Sequence, residues 1–224
     1  MKKPLAILLM TILPSMSLSG CATLKEAVFG REYPLAPLAW ATLGATTREE
    51  VMRRFGAPDE IDRRWSESFE ADVFFYYDED HGNPPRYQLL ACEFGKSMLT
   101  AYAYQESAGA APANFDDSLR LQLVKGQSTR QDVEKLLGPP TGKARLPTTI
   151  NLPALDLRLG GAPFPLAKIP ETAQEVWQYH YETFNYETFH EELRKISQKT
   201  LSVFFDAEGL LIDNVLLHEQ LGKF

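Results

Sequence analysis

Apolar positions along this chain change their period several times, and each change marks an element. In Val124 to Pro140, VKGQSTRQDVEKLLGPP, the residues Val133, Leu136 and Leu137 fall on one face of a 3.6-residue repeat, which predicts a helix of about three turns. Both its ends are written out. Ser128 and Gln131 have the spacing of a capping box, Gly138 can take the left-handed conformation that closes a helix, and Pro139 and Pro140 cannot continue it. So short a helix is marginal alone in water and must dock its apolar face.

The same punctuation occurs in Leu43 to Asp59, LGATTREEVMRRFGAPD. Gly44 matches Gly126, Thr46 matches Ser128, Glu49 matches Gln131, Val51 matches Val133, Gly56 matches Gly138 and Pro58 matches Pro140, with an offset of 82 residues throughout. A fixed register of this kind predicts two copies of one supersecondary unit.

Elsewhere the period is two. After the first helix, Val73 to Tyr77, Tyr87 to Phe94 and Leu99 to Tyr104 read as strands, separated by His81-Gly82-Asn83-Pro84-Pro85 and by Gly95-Lys96-Ser97. In the second copy Phe115 to Leu123 reads as a first helix, with Leu119 and Leu123 four apart. Strands then follow at Val176 to Tyr181, at Leu201 to Phe205 and, past the turn Asp206-Ala207-Glu208-Gly209, at Leu210 to Leu217. Trp177, Tyr179 and Tyr181 share one face, as do Leu201, Val203 and Phe205. The expected architecture is α+β: two tandem units, 38–105 and 114–224, each of two short helices packed on a three-stranded antiparallel sheet.

Two stretches of the second unit fit neither period. Residues 141–172 carry Pro147, Pro153, Pro163, Pro165 and Pro170, yet LPALDLRL alternates like a short strand. This segment reads as a partner-binding arm or as a flap over its own domain. Glu182 to Lys199 contains HEELRKI, with helical spacing at Leu193 and Ile196, and leans toward a helical excursion over a long hairpin.

The N-terminus changes the picture. Lys2 and Lys3 precede an apolar run, Leu5 to Leu13, too short to span a bilayer, and Leu18-Ser19-Gly20-Cys21 follows. This resembles the bacterial lipobox, in which the cysteine is acylated and becomes the first residue. The resemblance implies a signal peptide over 1–20, a lipid anchor at Cys21 and a tether over 21–37. Ala22 stands where an aspartate would imply inner-membrane retention, so the expected location is the outer membrane, facing the periplasm. Cleavage removes Lys2 and Lys3 and no acid, so the net charge moves from −7 to −9, which argues against nucleic acid as a partner. Cys92 is then the one remaining thiol, and its apolar setting, LLACEF, predicts a buried structural residue.

Taken together, Gly-x-Ser/Thr, Val and Gly-x-Pro around the helix, then Trp-x-Tyr-x-Tyr, then Leu-x-Val-x-Phe-Asp-x-x-Gly resemble the SmpA/OmlA (BamE-like) family of small outer-membrane lipoproteins. One member of that family is an accessory subunit of the machinery that inserts β-barrels. The second copy carries the pattern at Gly126, Ser128, Val133, Gly138, Pro140, Trp177, Tyr179, Tyr181, Val203, Phe205, Asp206 and Gly209. The first carries it from Gly44 to Pro58 and is looser in its strands. A tandem pair of such units also resembles the β-lactamase-inhibitor-protein fold. Motifs of this kind specify a fold more strongly than a function.

Candidate chemistry is thin. His190-Glu191-Glu192-Leu193-Arg194 opens like a zinc-protease helix, but Arg194 stands where the second histidine is needed. His81, His180 and His218 have no second ligand at short spacing, and Asp78-Glu79-Asp80 lacks the spacing of a calcium loop. No nucleophile elbow, phosphate-cradling loop or dinucleotide fingerprint appears. Asp59, Glu60 and Asp62 are scattered acids with no partner set for acid–base work. Trp65 and Phe69, beside IDRRWSES, read either as exposed anchors or as core. The sequence therefore predicts no catalytic residue, no metal and no cofactor. The expected function is a non-enzymatic binding, assembly or scaffold factor of the bacterial envelope, with an envelope protein as partner. The alternative is an inhibitor of a periplasmic or secreted hydrolase, in which the sheet surface or a loop plugs an active site.

Overall fold

The computed structural model describes residues 38–66, 69–80, 86–106, 115–148, 168–186 and 194–221. At 65–66, 69, 78–80, 86–87, 182–186, 194–198 and 219–221 the description covers the backbone alone. Helix α1 is Arg48–Phe55 and helix α2 is Arg130–Leu137. The strands are β1 Glu60–Ser66, β2 Phe69–Asp80, β3 Arg86–Gly95, β4 Met98–Glu106, β5 Gly142–Arg145, β6 Glu175–Tyr186, β7 Arg194–Phe205 and β8 Leu211–Leu221. They form one antiparallel sheet in the order β1 to β8.

This overturns the expectation of two α+β units with three strands each. Among the described residues the protein is mainly β, with one eight-stranded sheet and few short helices. Two strands escaped the sequence pattern. β1, EIDRRWS, is an edge strand whose charged residues hide the alternation, and β5, GKAR, is four residues long. β5 matters most. It pairs with β4 through Ala101, Tyr102 and Ala103, and with β6 through Glu175 to Gln178, so it joins the halves into a continuous sheet.

The expected helix over Phe115–Leu123 is a 3₁₀ helix, Asp117–Gln122, with no fully buried residue. Leu119 and Leu123 offer too little apolar face to hold an α-helix on the sheet, and the first half shows α1 alone among the described residues. The lean toward a helix in 182–199 is also corrected. β6 continues to Tyr186, and β7 already begins at Arg194, paired Tyr186↔Arg194, so residues 182–186 and 194–199 are the paired arms of a long hairpin. Residues 187–193 lie outside the described ones.

The two capped helices are built alike. The hydroxyl of Thr47 accepts from Glu50 N–H at 3.2 Å and Thr47 N–H donates to Glu50 Oε2 at 2.7 Å; Thr129 and Asp132 make the same box at 3.2 and 2.9 Å. The boxes sit one residue later than the spacing suggested. TT before EE, and ST before QD, satisfy the pattern in both registers. The earlier hydroxyls, Thr46 and Ser128, instead accept from Thr42 N–H and Val124 N–H, each at 2.9 Å, and close the preceding turn. Thr129→Ala is therefore expected to cost about 1 kcal/mol in denaturant titration, while Gln131→Ala, at an exposed site, changes little.

Each helix is pinned to its own strands. Val51 and Phe55 pack on Phe74, Tyr76, Leu90, Cys92, Phe94, Leu99, Tyr102 and Tyr104. Val133, with Leu137 beside it, packs on Trp177, Tyr179, Leu201, Val203, Phe205 and Leu211. The tyrosine hydroxyls of Tyr76 and Tyr179 donate to the carbonyls of Gly56 and Gly138, which end the helices. Arg48 lies over Phe74 and Phe94 and pairs with Asp72; Arg130 lies over Phe205 and pairs with Glu175. On the opposite face a third cluster runs across both halves, from Val73, Phe75, Leu89 and Ala91 through Ala101, Ala103 and Ala144 to Val176 and Phe204.

Candidate functional site

The repeat leaves a gap in its own middle. α1 covers strands β2 to β4 and α2 covers β6 to β8, so the helix-side face of β5 belongs to neither cluster. Alternation along GKAR puts Ala144 in the cross-sheet cluster and turns Lys143 and Arg145 toward the helix side. Lys143 stands opposite Tyr102 on one side and Trp177 on the other, and Arg145 stands opposite Glu175.

Lys143 is half-buried, with its Nζ 4.0 Å from the centre of the Trp177 ring. Burial pushes the lysine below its ordinary pKa, Glu134 and Glu175 oppose that, and Arg130 adds to it. A cation–π contact of this kind partly replaces lost water. Glu175 is already engaged: it accepts from Arg130 Nη2 at 2.9 Å and from the Trp177 indole N–H. Arg145 is exposed, and its guanidinium lies against the turn before α1. A Cβ on Gly44, whose φ is +76°, would stand 2.1 Å from its Nη1. Among the described residues no carboxylate comes within ion-pair distance of Lys143 or Arg145. In a chain of net charge −7, Lys143 and Arg145 thus stand on β5 with no carboxylate partner among the described residues.

The opposite face holds a second polar group. Glu93 is fully buried and accepts from the Thr100 hydroxyl at 2.8 Å and the Thr148 hydroxyl at 3.1 Å. Farther along, His180 Nδ1 lies 2.9 Å from Thr200 Oγ1, and its Nε2 lies 3.5 Å from Gln105 Nε2. Leu146 and Ala173 pack in the cross-sheet cluster, so both described roots of the Pro-rich segment lie on this face. Residues 149–167, and with them the question of a binding arm, lie outside the described residues.

The remaining sequence candidates serve the fold where they are described. Trp177 and Tyr179 are buried under α2, and Tyr181 is half-buried. Asp59 accepts from Tyr77 N–H at 2.9 Å and Asp62 from Arg64 Nε at 2.8 Å, while Glu60 is half-buried in edge strand β1. His218 is exposed on β8. Cys21, His81 and His190 lie outside the described residues, as do the side chains of Trp65, Phe69, Asp78, Glu79 and Asp80. No group of three metal-ligating side chains occurs among the described residues. Cys92 is fully buried, and burial pushes its thiol well above the ordinary range. In a Cys21→Ser chain, alkylation of Cys92 is expected to proceed at the rate of unfolding; fast labelling of the native protein would contradict this. Sequence reasoning missed Lys143 and Arg145. Their signal was the K-A-R alternation, which places both on one face once the segment is a strand.

No family model and no curated protein matches the chain, so the SmpA/OmlA resemblance rests on its motif residues. Among solved structures, a Streptococcus mutans protein described as a "putative beta-lactamase inhibitor protein" aligns with a TM-score of 0.42 and 16% identity, over 78% of this chain and 83% of that one. Likeness at that level fixes neither family nor activity.

Proposed function

We propose that this chain is a non-enzymatic binding or assembly factor of the bacterial envelope, held through Cys21 at the periplasmic face of the outer membrane. The observation that carries the binding role is the gap over β5, where Lys143 and Arg145, without acidic partners among the described residues, stand on a strand between two docked helices. Several acids and one histidine among the described residues support the same reading. Asp59, Asp62, Glu93 and His180 all bond to neighbours within the fold. The anchor follows from the lipobox residues Leu18 to Cys21.

Crosslinking in intact cells, followed by purification of the acylated chain in mild detergent, tests this reading. A partner recovered in stoichiometric amount is expected; repeated recovery of a lone chain would overturn it. Cys21→Ser is expected to release the chain from the membrane fraction.

A second reading, an inhibitor of a periplasmic or secreted hydrolase, is favoured by one feature. β5 pairs with β6 at Glu175 to Gln178 alone, so the β6–β7 hairpin runs on past it to Tyr186 and could enter a cleft. A panel including β-lactamases and lysozymes decides it, and no inhibition at micromolar protein ends it.

A further inference from the structure

We propose that the gap over β5 binds an extended acidic segment of a partner protein, whose carboxylates meet Lys143 and Arg145. The inference rests on the binding role above and names the chemistry of that site. Lys143 and Arg145 are two residues apart on one face of a strand, which spaces their backbone positions by about 6.4–6.8 Å. Alternate side chains on one face of an extended peptide repeat at that same backbone distance; the Lys143 ammonium lies over Trp177 and the Arg145 guanidinium against the turn at Gly44, so two acids of a partner meet them on the two sides of β5. Tyr102 and Trp177, both buried, stand beside Lys143 on the neighbouring strands, so β5 alone separates the two helix-covered clusters.

The charges around the gap select the sign. Arg130 adds positive charge beside Lys143, and one of the two acids that act on it, Glu175, is held by Arg130 and by the indole of Trp177. Glu134 faces the same space from α2 without reaching ion-pair distance of Lys143. An incoming carboxylate gains a charge-assisted bond to the half-buried ammonium without displacing an existing salt bridge.

Trp177 is the reporter, because Lys143 stands on its ring. The full chain in mild detergent, labelled at tryptophan, is titrated with end-blocked hexaglutamate and followed by the indole N–H resonances. The resonance of Trp177 is expected to move and saturate, to lose the effect at high salt, and to leave Trp40 unmoved. Lys143→Gln is expected to weaken binding about tenfold and Lys143→Gln with Arg145→Gln to abolish it, both with unchanged thermal unfolding. Arg145→Gln alone, at an exposed site, keeps the test valid if the lysine variant folds poorly. No saturable shift, a shift that survives in the double variant, or an equal shift with hexalysine overturns the proposal. So does an equal shift with inorganic phosphate or phosphatidylglycerol vesicles, which would assign the site to a phosphate group. If hexaglutamate fails while a partner still co-purifies, this inference falls and the binding role stands.

Discussion

Phe205→Ala is expected to cost about 3–5 kcal/mol, which for a domain of this size lowers the melting temperature by roughly 6–20 °C. Phe205 is fully buried, its ring meets that of Trp177 edge-on with centres 5.1 Å apart, and the Arg130 guanidinium lies over it at 5.6 Å. Truncation removes the apolar contact, and it also removes the surface against which a partly buried arginine is stacked. Arg130 holds Glu175, whose side chain is 13% exposed, so the loss spreads to a largely covered carboxylate. Phe94 plays the same part in the first half, 5.0 Å from Phe74 and 5.7 Å from Arg48, and Phe94→Ala is expected to cost a similar amount.

The form of the transition matters as much as its midpoint. Val73 and Phe75 from β2 share one cluster with Val176 and Phe204 from β6 and β7, and β5 bonds to both halves. Unfolding is therefore expected to remain a single transition in both variants, followed by far-ultraviolet dichroism and tryptophan fluorescence together. Two separated transitions would show that the halves fold independently, against the continuity of the sheet.

The capped helices were legible because their punctuation is local. Thr47 with Glu50 and Thr129 with Asp132 lie within one turn, and Gly56 and Gly138 end each helix regardless of what lies beneath. The register of the caps was ambiguous, since two hydroxyls precede two acceptors in both copies, and the neighbouring turn decides which hydroxyl caps. The strands with aromatic and β-branched alternation were legible for a similar reason: their pattern reports one buried face. β5 was not. Its existence depends on two edges, β4 and β6, that meet only in the folded chain, and four residues with one apolar position carry no period. The candidate site inherits that blindness, because Lys143 and Arg145 become neighbours on a floor only when β5 is a strand between two helix-covered halves. The 182–199 stretch failed differently. The helical spacing gave way, from Arg194 onward, to twelve cross-strand pairs between β6 and β7.

Gly138→Ala is expected to cost about 1–3 kcal/mol for a reason that no contact explains. Gly138 has φ +82° and ψ −171°, a combination that L side chains scarcely adopt. A Cβ built there would meet nothing within 4 Å, so packing contributes no penalty and the whole cost is backbone. The conformation is imposed from both sides. The N–H of Gly138 donates to Glu134 O at 2.9 Å, and its carbonyl accepts from the Tyr179 hydroxyl at 3.1 Å, which ties the end of α2 to β6. Alanine must either bear the strain or turn the peptide and surrender the tyrosine bond, leaving a hydroxyl in a half-closed apolar setting. Gly56, at φ +81° and ψ −162°, is held by Met52 O and the Tyr76 hydroxyl in the same way. Gly56→Ala and Gly138→Ala should therefore cost alike in denaturant titration, with unchanged dependence on denaturant concentration. A loss below about 0.5 kcal/mol at both positions, within the range of neutral surface changes, would mean that the helix ends relax freely and that the tyrosine anchors are weak.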